Sequence, residues 1–254
     1  MIQKFNDPQY IDFFEDKTKF AEKFAPFFKR KWLSTKDLTE EKLRSFVQGI
    51  DSQFIYKPVG NAQGQGIRVF SSEENVSRLY QEITAHSEVA ILEQWIEQHP
   101  ALAEIYSEAI NCLRIITVLK NDKLHYLTGG ITWGNGKKIA NASASGIVSP
   151  VDFATGILAK PAADFHGHSY SRHPISGAMM VNFQVPFWKE TLEMLECAAR
   201  IIPQVGYVGW DIAITPTGPV IIEGNTTPGY KYYQIPEHLL PDKYGNRKIY
   251  QELL

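Results

Sequence analysis

Two stretches in the last fifth of the chain carry acidic residues inside otherwise apolar strands. Asp211 lies in Gly209-Trp210-Asp211-Ile212-Ala213-Ile214, and Glu223 and Asn225 lie in Val220-Ile221-Ile222-Glu223-Gly224-Asn225. Residues two apart on an extended strand point to the same side, so Glu223 and Asn225 aim two oxygens at one spot. An antiparallel neighbour brings Asp211 to the same place. Carboxylate and amide oxygens are what hard Mg²⁺ uses, the rest of its octahedron being water and phosphate. A carboxylate in so apolar a strand is costly to bury without a cation, which favours an ion site over a surface hairpin.

A second set lies earlier. Lys57 ends the strand Gln53-Phe54-Ile55-Tyr56-Lys57, stopped by Pro58, and Gly60, Gly64 and Gly66 follow in the loop. A lysine there reaches a phosphate as a point charge, and glycines let backbone N–H groups approach phosphate oxygens. No Gly-Lys-Ser/Thr follows, so this is not a Walker A loop, and a plain turn is the competing reading. Glu93 ends another apolar strand, Val89 to Glu93, where the departing backbone at Gln94, Trp95 and Ile96 suits the edge of an adenine. A solvated acid at a strand end explains Glu93 equally well in isolation.

The elements that must position these residues follow from period and punctuation. The first fifty residues read as helical, with Asp7-Pro8 as a helix start and a second start at Thr39-Glu40-Glu41. Phe13, Phe14, Phe20, Phe24, Phe27 and Phe28 recur between charged residues and read as core. Gln53 to Lys57 and Ile67 to Phe70 form a hairpin around the glycine loop. A helix is expected over 72–86, and two long strands over 110–133 around Asn121-Asp122. A polar, glycine-rich stretch covers 134–180, a helix 186–202, and two strands Tyr207 to Thr215 and Pro219 to Glu223 around Thr217-Gly218. The fold class is mixed α+β with antiparallel sheets.

Composition bounds the function. With 254 residues, 44% hydrophobic and 21% charged, the chain can bury a real core. A net charge of −2 and pI near 6.4 give no bulk attraction to nucleic acid or anionic membrane. No apolar stretch approaches the ~18 residues of a membrane span, and MIQKFNDPQY lacks the apolar run of a signal peptide. Cys112 and Cys197 are too few for a zinc cluster or disulfide framework, which fits a reducing cytosol and a cytoplasmic location. The histidine-rich segment Asp164 to Pro174 shows no period that would converge its imidazoles and reads as a surface or substrate-rim loop. Trp133 and Lys137-Lys138 fit either a hairpin end or a substrate contact.

Taken in order, these features resemble the ATP-grasp superfamily, most closely its sugar-transfer-associated branch. The likeness runs from about Lys17 to Tyr230. It rests on Asp16-Lys17, Phe54-Ile55-Tyr56-Lys57-Pro58 with its glycine loop, and Leu92-Glu93-Gln94-Trp95-Ile96-Glu97-Gln98-His99-Pro100. Asn111-Cys112-Leu113-Arg114-Ile115-Ile116-Thr117, the run Asn141 to Val148, Gly209 to Ala213, and Glu223-Gly224-Asn225-Thr226-Thr227-Pro228-Gly229 complete it. The resemblance implies ATP held between two antiparallel sheets, one in a small lid. It assigns Lys17 and Lys57 to the α- and β-phosphates and the Gly60 to Gly66 loop, with Gly64 and Gly66, to the γ-phosphate. Glu93 and the backbone of Gln94, Trp95 and Ile96 would hold adenine, and Asp211, Glu223 and Asn225 would hold Mg²⁺. Arg114 would stabilise the transferring phosphoryl group, and Asn141 would be a polar residue on the phosphate or substrate side.

By the same resemblance residues 1–48 form a short N-terminal helical region, 49–96 the lid and 97–254 the catalytic lobe. The implied activity is Mg-ATP-dependent carboxylate–amine ligation through an acyl phosphate, joining an amino acid or amine to a sugar acid in capsule or exopolysaccharide synthesis. Partners are then small, sugar-linked carboxylates and amines. Family members usually carry more chain ahead of the lid lysine than the 56 residues here, so a homodimer partner or an open substrate is expected to complete the substrate wall. A kinase of the same fold shares every residue named. A nucleotide-binding module beside a glycosyltransferase would tolerate loss of the ion ligands, which are all present, and a carbohydrate-binding domain leaves the acidic pair unexplained.

Overall fold

The computed structural model describes residues 1–60, 65–136, 146–229, 235, 238–239 and 247–253. Gly64, Asn141, Lys137 and Lys138 therefore lie outside the described residues. The chain forms two compact units, one of residues 12–96 and one of residues 1–11 with 97–254.

In the first unit, strands β1 (Trp32–Ser34), β2 (Gln53–Pro58), β3 (Arg68–Ser71) and β4 (Ala90–Gln94) form an antiparallel sheet in the order β1-β4-β2-β3. The β2–β3 pairing is the expected hairpin, Gln53 opposite Ser71. Strand alternation divides the side chains between faces. Phe54, Tyr56, Phe70, Ala90 and Leu92 pack with Leu43, Phe46 and Val47 of the helix Glu40–Gln48 and with Leu79 and Ile83 of the helix Val76–Thr84. Lys57 and Glu93 alternate onto the other face. Thr39 caps the first of these helices by accepting from Lys42 N–H, and Asn75 caps the second by accepting from Arg78 N–H. Of the early phenylalanines Phe14, Phe20, Phe24 and Phe28 are core, the first three interlocking with ring centroids 4.4–5.9 Å apart, whereas Phe13 and Phe27 are only half-buried.

In the second unit the order is β10-β9-β7-β6-β5-β12-β13, again antiparallel. Its long members are β5 (Cys112–Lys120), β6 (Lys123–Trp133), β12 (Tyr207–Thr215) and β13 (Gly218–Asn225). Asn121 and Asp122, both at positive φ (51° and 59°), make the two-residue turn between β5 and β6 that the Asn-Asp pair predicts. Within the glycine-rich stretch the structure adds β7 (Ile147–Pro150), β8 (Ile157–Leu158), β9 (Ala162–Ala163), β10 (Ser169–Tyr170), and then β11 (Phe183–Gln184) paired with β8. Strands of two residues carry no readable period. The helix Trp188–Ala198 falls inside the expected 186–202.

Residues 1–11 are stitched to this sheet by hydrogen bonds. Gly206 N–H donates to Phe5 O (2.7 Å), Asp7 N–H donates to Gln204 O (2.9 Å), and Phe5 packs beside Ile116, Val118 and Tyr207. Among the described residues no helix is long and apolar enough to cross a membrane.

Candidate nucleotide and metal site

The register of three strands lines up a charged row. Arg114 of β5 stands opposite Asp211 of β12, and Asp211 stands opposite Glu223 of β13. The expected antiparallel neighbour for the acidic pair is thus β12, and Asn225, two residues on from Glu223, stands opposite Gly209. A bulge after Asp211, between Asp211 and Ile212 in the β12–β13 ladder, lets one strand change pitch beside the row. β12 is buried on both faces, and Asp211 is 8% exposed.

Arg114 grips Asp211 with both arms of its fork. Nε donates to Oδ1, and Nη2 donates to Oδ2 at 2.6 Å; the two side chains are 18% and 12% exposed. Asn225 Nδ2 lies 3.4 Å from Oδ2, and the Cys112 thiol donates to Oδ1 at 3.4 Å. The bidentate guanidinium uses one lone pair on each carboxylate oxygen, and the Cys112 thiol and the Asn225 amide reach the second ones only at the longer 3.4 Å. Two carboxylates and an amide oxygen are a hard-donor set that fits Mg²⁺. Asp211, Glu223 and Asn225 are the residues that would hold such an ion, and its chemistry when bound is to neutralise phosphate charge. Among the described residues no group of three His, Cys, Asp or Glu side chains converges, at this row or at any other place, so the row's set is two carboxylates and one amide.

Burial, and then the Asp211 carboxylate, push the Cys112 thiol well up from its ordinary value, whereas Cys197 is exposed. At pH 8 a maleimide or iodoacetamide should therefore label Cys197 and spare Cys112. Peptide mapping after brief labelling checks this; Cys112 labelled as fast as Cys197 would contradict a thiol raised beside Asp211.

In the first unit Lys57 and Glu93 meet directly. Ile55 pairs with Glu93 and Lys57 with Ile91, which sets the lysine and glutamate as diagonal neighbours on one face. Lys57 Nζ donates to Glu93 Oε2 at 2.9 Å, and Arg30 donates to the same oxygen through Nε (2.8 Å) and Nη2 (2.7 Å). Burial raises the Glu93 carboxyl, but Arg30 and then Lys57 outweigh it and hold the group below its ordinary value. Oε1 takes no bond from a described residue. Of the backbone expected to meet adenine, Gln94 N–H donates to Lys31 O (2.9 Å) and Trp95 N–H to Gln53 O (3.0 Å). Ile96 N–H has no such partner among the described residues.

Lys17 opens the helix Lys17–Lys23 behind the cap Asp16, whose carboxylate accepts from Thr18 N–H and Lys19 N–H. Lys17 Nζ donates to Val59 O at 3.1 Å, which fixes it where the glycine loop leaves β2. Gly66, at φ +74°, needs glycine's freedom at the far end of that loop.

Sequence reasoning missed three buried polar residues. Arg30, 4% exposed at its side chain, follows a phenylalanine run with no strand or motif to flag it. Asn111, 1% exposed, donates to Leu102 O and Tyr106 O and accepts from Gly134 N–H, which fixes the entry into β5 just before Cys112 and Arg114. Asn6 is the third. The histidine-rich segment has no convergent imidazoles. His168 Nδ1 bonds Asp164 Oδ2, while the ring of buried His173 bonds Gly134 O. Trp133 is fully buried and donates to Ser149 Oγ at 2.8 Å, as a core residue does.

Comparison with solved structures finds the same fold in larger proteins. A carboxyaminoimidazole ribonucleotide synthase of Aspergillus clavatus, complexed with ATP, matches with a TM-score of 0.56 at 12% identity, over 90% of this chain and 49% of that one. The D-alanine–D-alanine ligase of Coxiella burnetii matches at 0.52 and 12% identity, over 88% and 52%. The VanG D-Ala:D-Ser ligase of Enterococcus faecalis matches at 0.53 and 15% identity, over 88% and 55%. The chain thus spans about half the length of these proteins, and at such identities the likeness is one of fold. Comparison with curated protein sequences finds no match. The profile of the family described as sugar-transfer associated ATP-grasp matches residues 1–241, nearly the whole sequence, and the chain belongs to that family.

Proposed function

We propose that the chain binds Mg-ATP and uses it to join a carboxylate to an amine. The observation that carries this reading is the row Arg114–Asp211–Glu223 across three buried strands, with Asn225 beside it. Hard oxygen ligands next to a guanidinium suit a cation-bridged polyphosphate, because phosphoryl transfer depends on positioning and charge neutralisation. Lys17 and Lys57 supply two further cations for the phosphates. Glu93 Oε1 offers an acceptor to the adenine amino group, and Ile96 N–H offers a donor to a ring nitrogen.

In the proposed reaction a substrate carboxylate oxygen attacks the γ-phosphorus, and the bond to the β-phosphate oxygen breaks to release ADP. The amine then attacks the acyl carbon, phosphate leaves, and the amine loses a proton to give the amide. Arg114 steadies the charge on the transferring group. Membership of the sugar-transfer associated family supports a sugar acid as the carboxylate and an amino acid or amine as its partner, within polysaccharide assembly.

Titration calorimetry of ATP with Mg²⁺ tests the site. Wild type should bind in an Mg²⁺-dependent way, and Asp211→Asn/Glu223→Gln should lose that dependence. Well-folded wild type that binds no nucleotide would end the ligase reading. Once binding is shown, screening uronic acids with amino acids for ADP release, with mass spectrometry of the products, separates an amide from a phosphorylated sugar.

A further inference from the structure

Asn6 sits far from the acidic motifs in sequence, yet it is only 5% exposed and all of its amide is used in the second unit's sheet. Its Nδ2 donates to Tyr207 O (2.9 Å) and to Thr226 O (3.0 Å), and its Oδ1 accepts from Tyr207 N–H (2.8 Å). Tyr207 opens β12, the strand of Asp211. Thr226 immediately follows Asn225, the last residue of β13.

The β12–β13 ladder runs from Thr215 opposite Gly218 to Gly209 opposite Asn225 and stops there. Beyond that pair the Asn6 amide stands in for the next rung. It satisfies the backbones of Tyr207 and Thr226 that would otherwise be buried and unpaired, and it holds the two chains at side-chain width. Segment 226–228 then turns back across Gly209. A Cβ at Gly209 would stand 2.7 Å from Pro228 Cβ and 3.6 Å from Arg114 Nη1, so this path runs beside the guanidinium. Gly209 is required because the returning chain occupies the space of a side chain.

We infer that Asn6 is a positioning residue for the ion site, acting through Thr226 on Asn225 and through Tyr207 on the strand of Asp211. This rests on the ion-site reading under Proposed function. Asn6 touches neither nucleotide nor ion; its effect is on where Asn225 and the 226–228 turn lie. An ion ligand displaced by a fraction of an ångström loses affinity, because Mg²⁺ demands near-ideal octahedral geometry.

The test measures Mn²⁺ affinity in the presence of ADP, by electron paramagnetic resonance of free Mn²⁺, for wild type, Asn6→Ala, Asn6→Asp and the core control Leu158→Ala. Asn6→Asp keeps the acceptor for Tyr207 N–H and removes both donors, so it serves if the alanine variant does not fold. Melting temperatures identify conditions in which each protein is folded. The expected result is a Mn²⁺ affinity about 10- to 100-fold weaker in the Asn6 variants, the range seen when supporting contacts of metal ligands are removed. Leu158→Ala, fully buried in β8 away from Tyr207 and Thr226 in sequence and sheet, should lose stability and keep wild-type affinity. Folded Asn6 variants with wild-type affinity would overturn the inference and leave the ion site standing. Wild type that takes up no Mn²⁺ with ADP would overturn both.

Discussion

Replacing Arg114 with alanine should lower kcat by about 10³–10⁵-fold while leaving Mg²⁺-dependent nucleotide binding within a few fold of wild type. The upper figure is what a positioned arginine contributes to phosphoryl transfer elsewhere. Binding and turnover separate here because of what Arg114 faces. It holds both oxygens of Asp211, so removing it takes the guanidinium from Asp211, whose strand neighbour on the other side is Glu223. Two neighbouring carboxylates attract a divalent ion more strongly when a competing guanidinium is gone. The metal-free variant should be less stable than wild type, since Asp211 is left buried and unpaired, and Mg-ADP should restore part of that loss. Arg114→Lys should recover only a small part of the rate, because an ammonium cannot reproduce the two-pronged bond. Single-turnover kinetics with calorimetry on the same samples decides the matter. A kcat within tenfold of wild type would make Arg114 a structural partner of Asp211 and nothing more.

The second large effect concerns Glu93. Glu93→Gln should destabilise the 12–96 unit by about 3–5 kcal/mol, the usual consequence of removing one member of a buried charge cluster. Glutamine keeps the shape but leaves Arg30 and Lys57, 4% and 12% exposed at their side chains, without their counter-charge. The pH dependence has a definite sign. The folded carboxyl is held below its ordinary value of 4.5, so its contribution is fully present above pH 4.5 and is lost as pH falls from there through the folded value. The gap in denaturation midpoint between wild type and variant should therefore be constant at neutral pH and shrink on acidification below 4.5. Equal midpoints at pH 7 would show that the cluster contributes nothing net, as buried ion pairs sometimes do when a whole cluster is replaced.

Much of this arrangement was legible in the sequence. The strands at 53–58, 112–120, 123–133 and 207–215 announce themselves by apolar runs and turn residues, and the structure places them there. The pairing of Asp211 with Glu223 followed from hairpin logic around Thr217-Gly218. What sequence could not supply was the third strand. That Arg114 stands opposite Asp211 is a matter of register between β5 and β12, whose residues are 97 apart in sequence. Arg30 was unreadable for a related reason. It lies two residues ahead of β1, which has three residues, too few for a period, and which gains its place by pairing with β4, where Trp32 meets Glu93. Glu93 looked like a lone acid at a strand end, and its two cationic partners appear only when the sheet is assembled. Asn6 gave no signal at all, because an asparagine near a short helix reads as a cap or a surface residue.

The union of residues 1–11 with 97–254 sets an order of events during synthesis. The 12–96 unit contains all of its own strands and emerges first, so it is free to fold while the rest is being made. Asn6 cannot close its amide bonds until Tyr207 exists, 201 residues later. At roughly 5–20 residues per second that is a wait of about 10–40 s. Residues 1–11 spend that interval apart from their sheet, with Phe5 and Asn6 still without the β12 and β5 partners they meet in the folded unit. A contact so long in the making is among the last to form. The end of the strand that carries Glu223 and Asn225 is thus completed by a residue made 220 positions earlier, so the Asn6 contacts close only after both distant segments have been made.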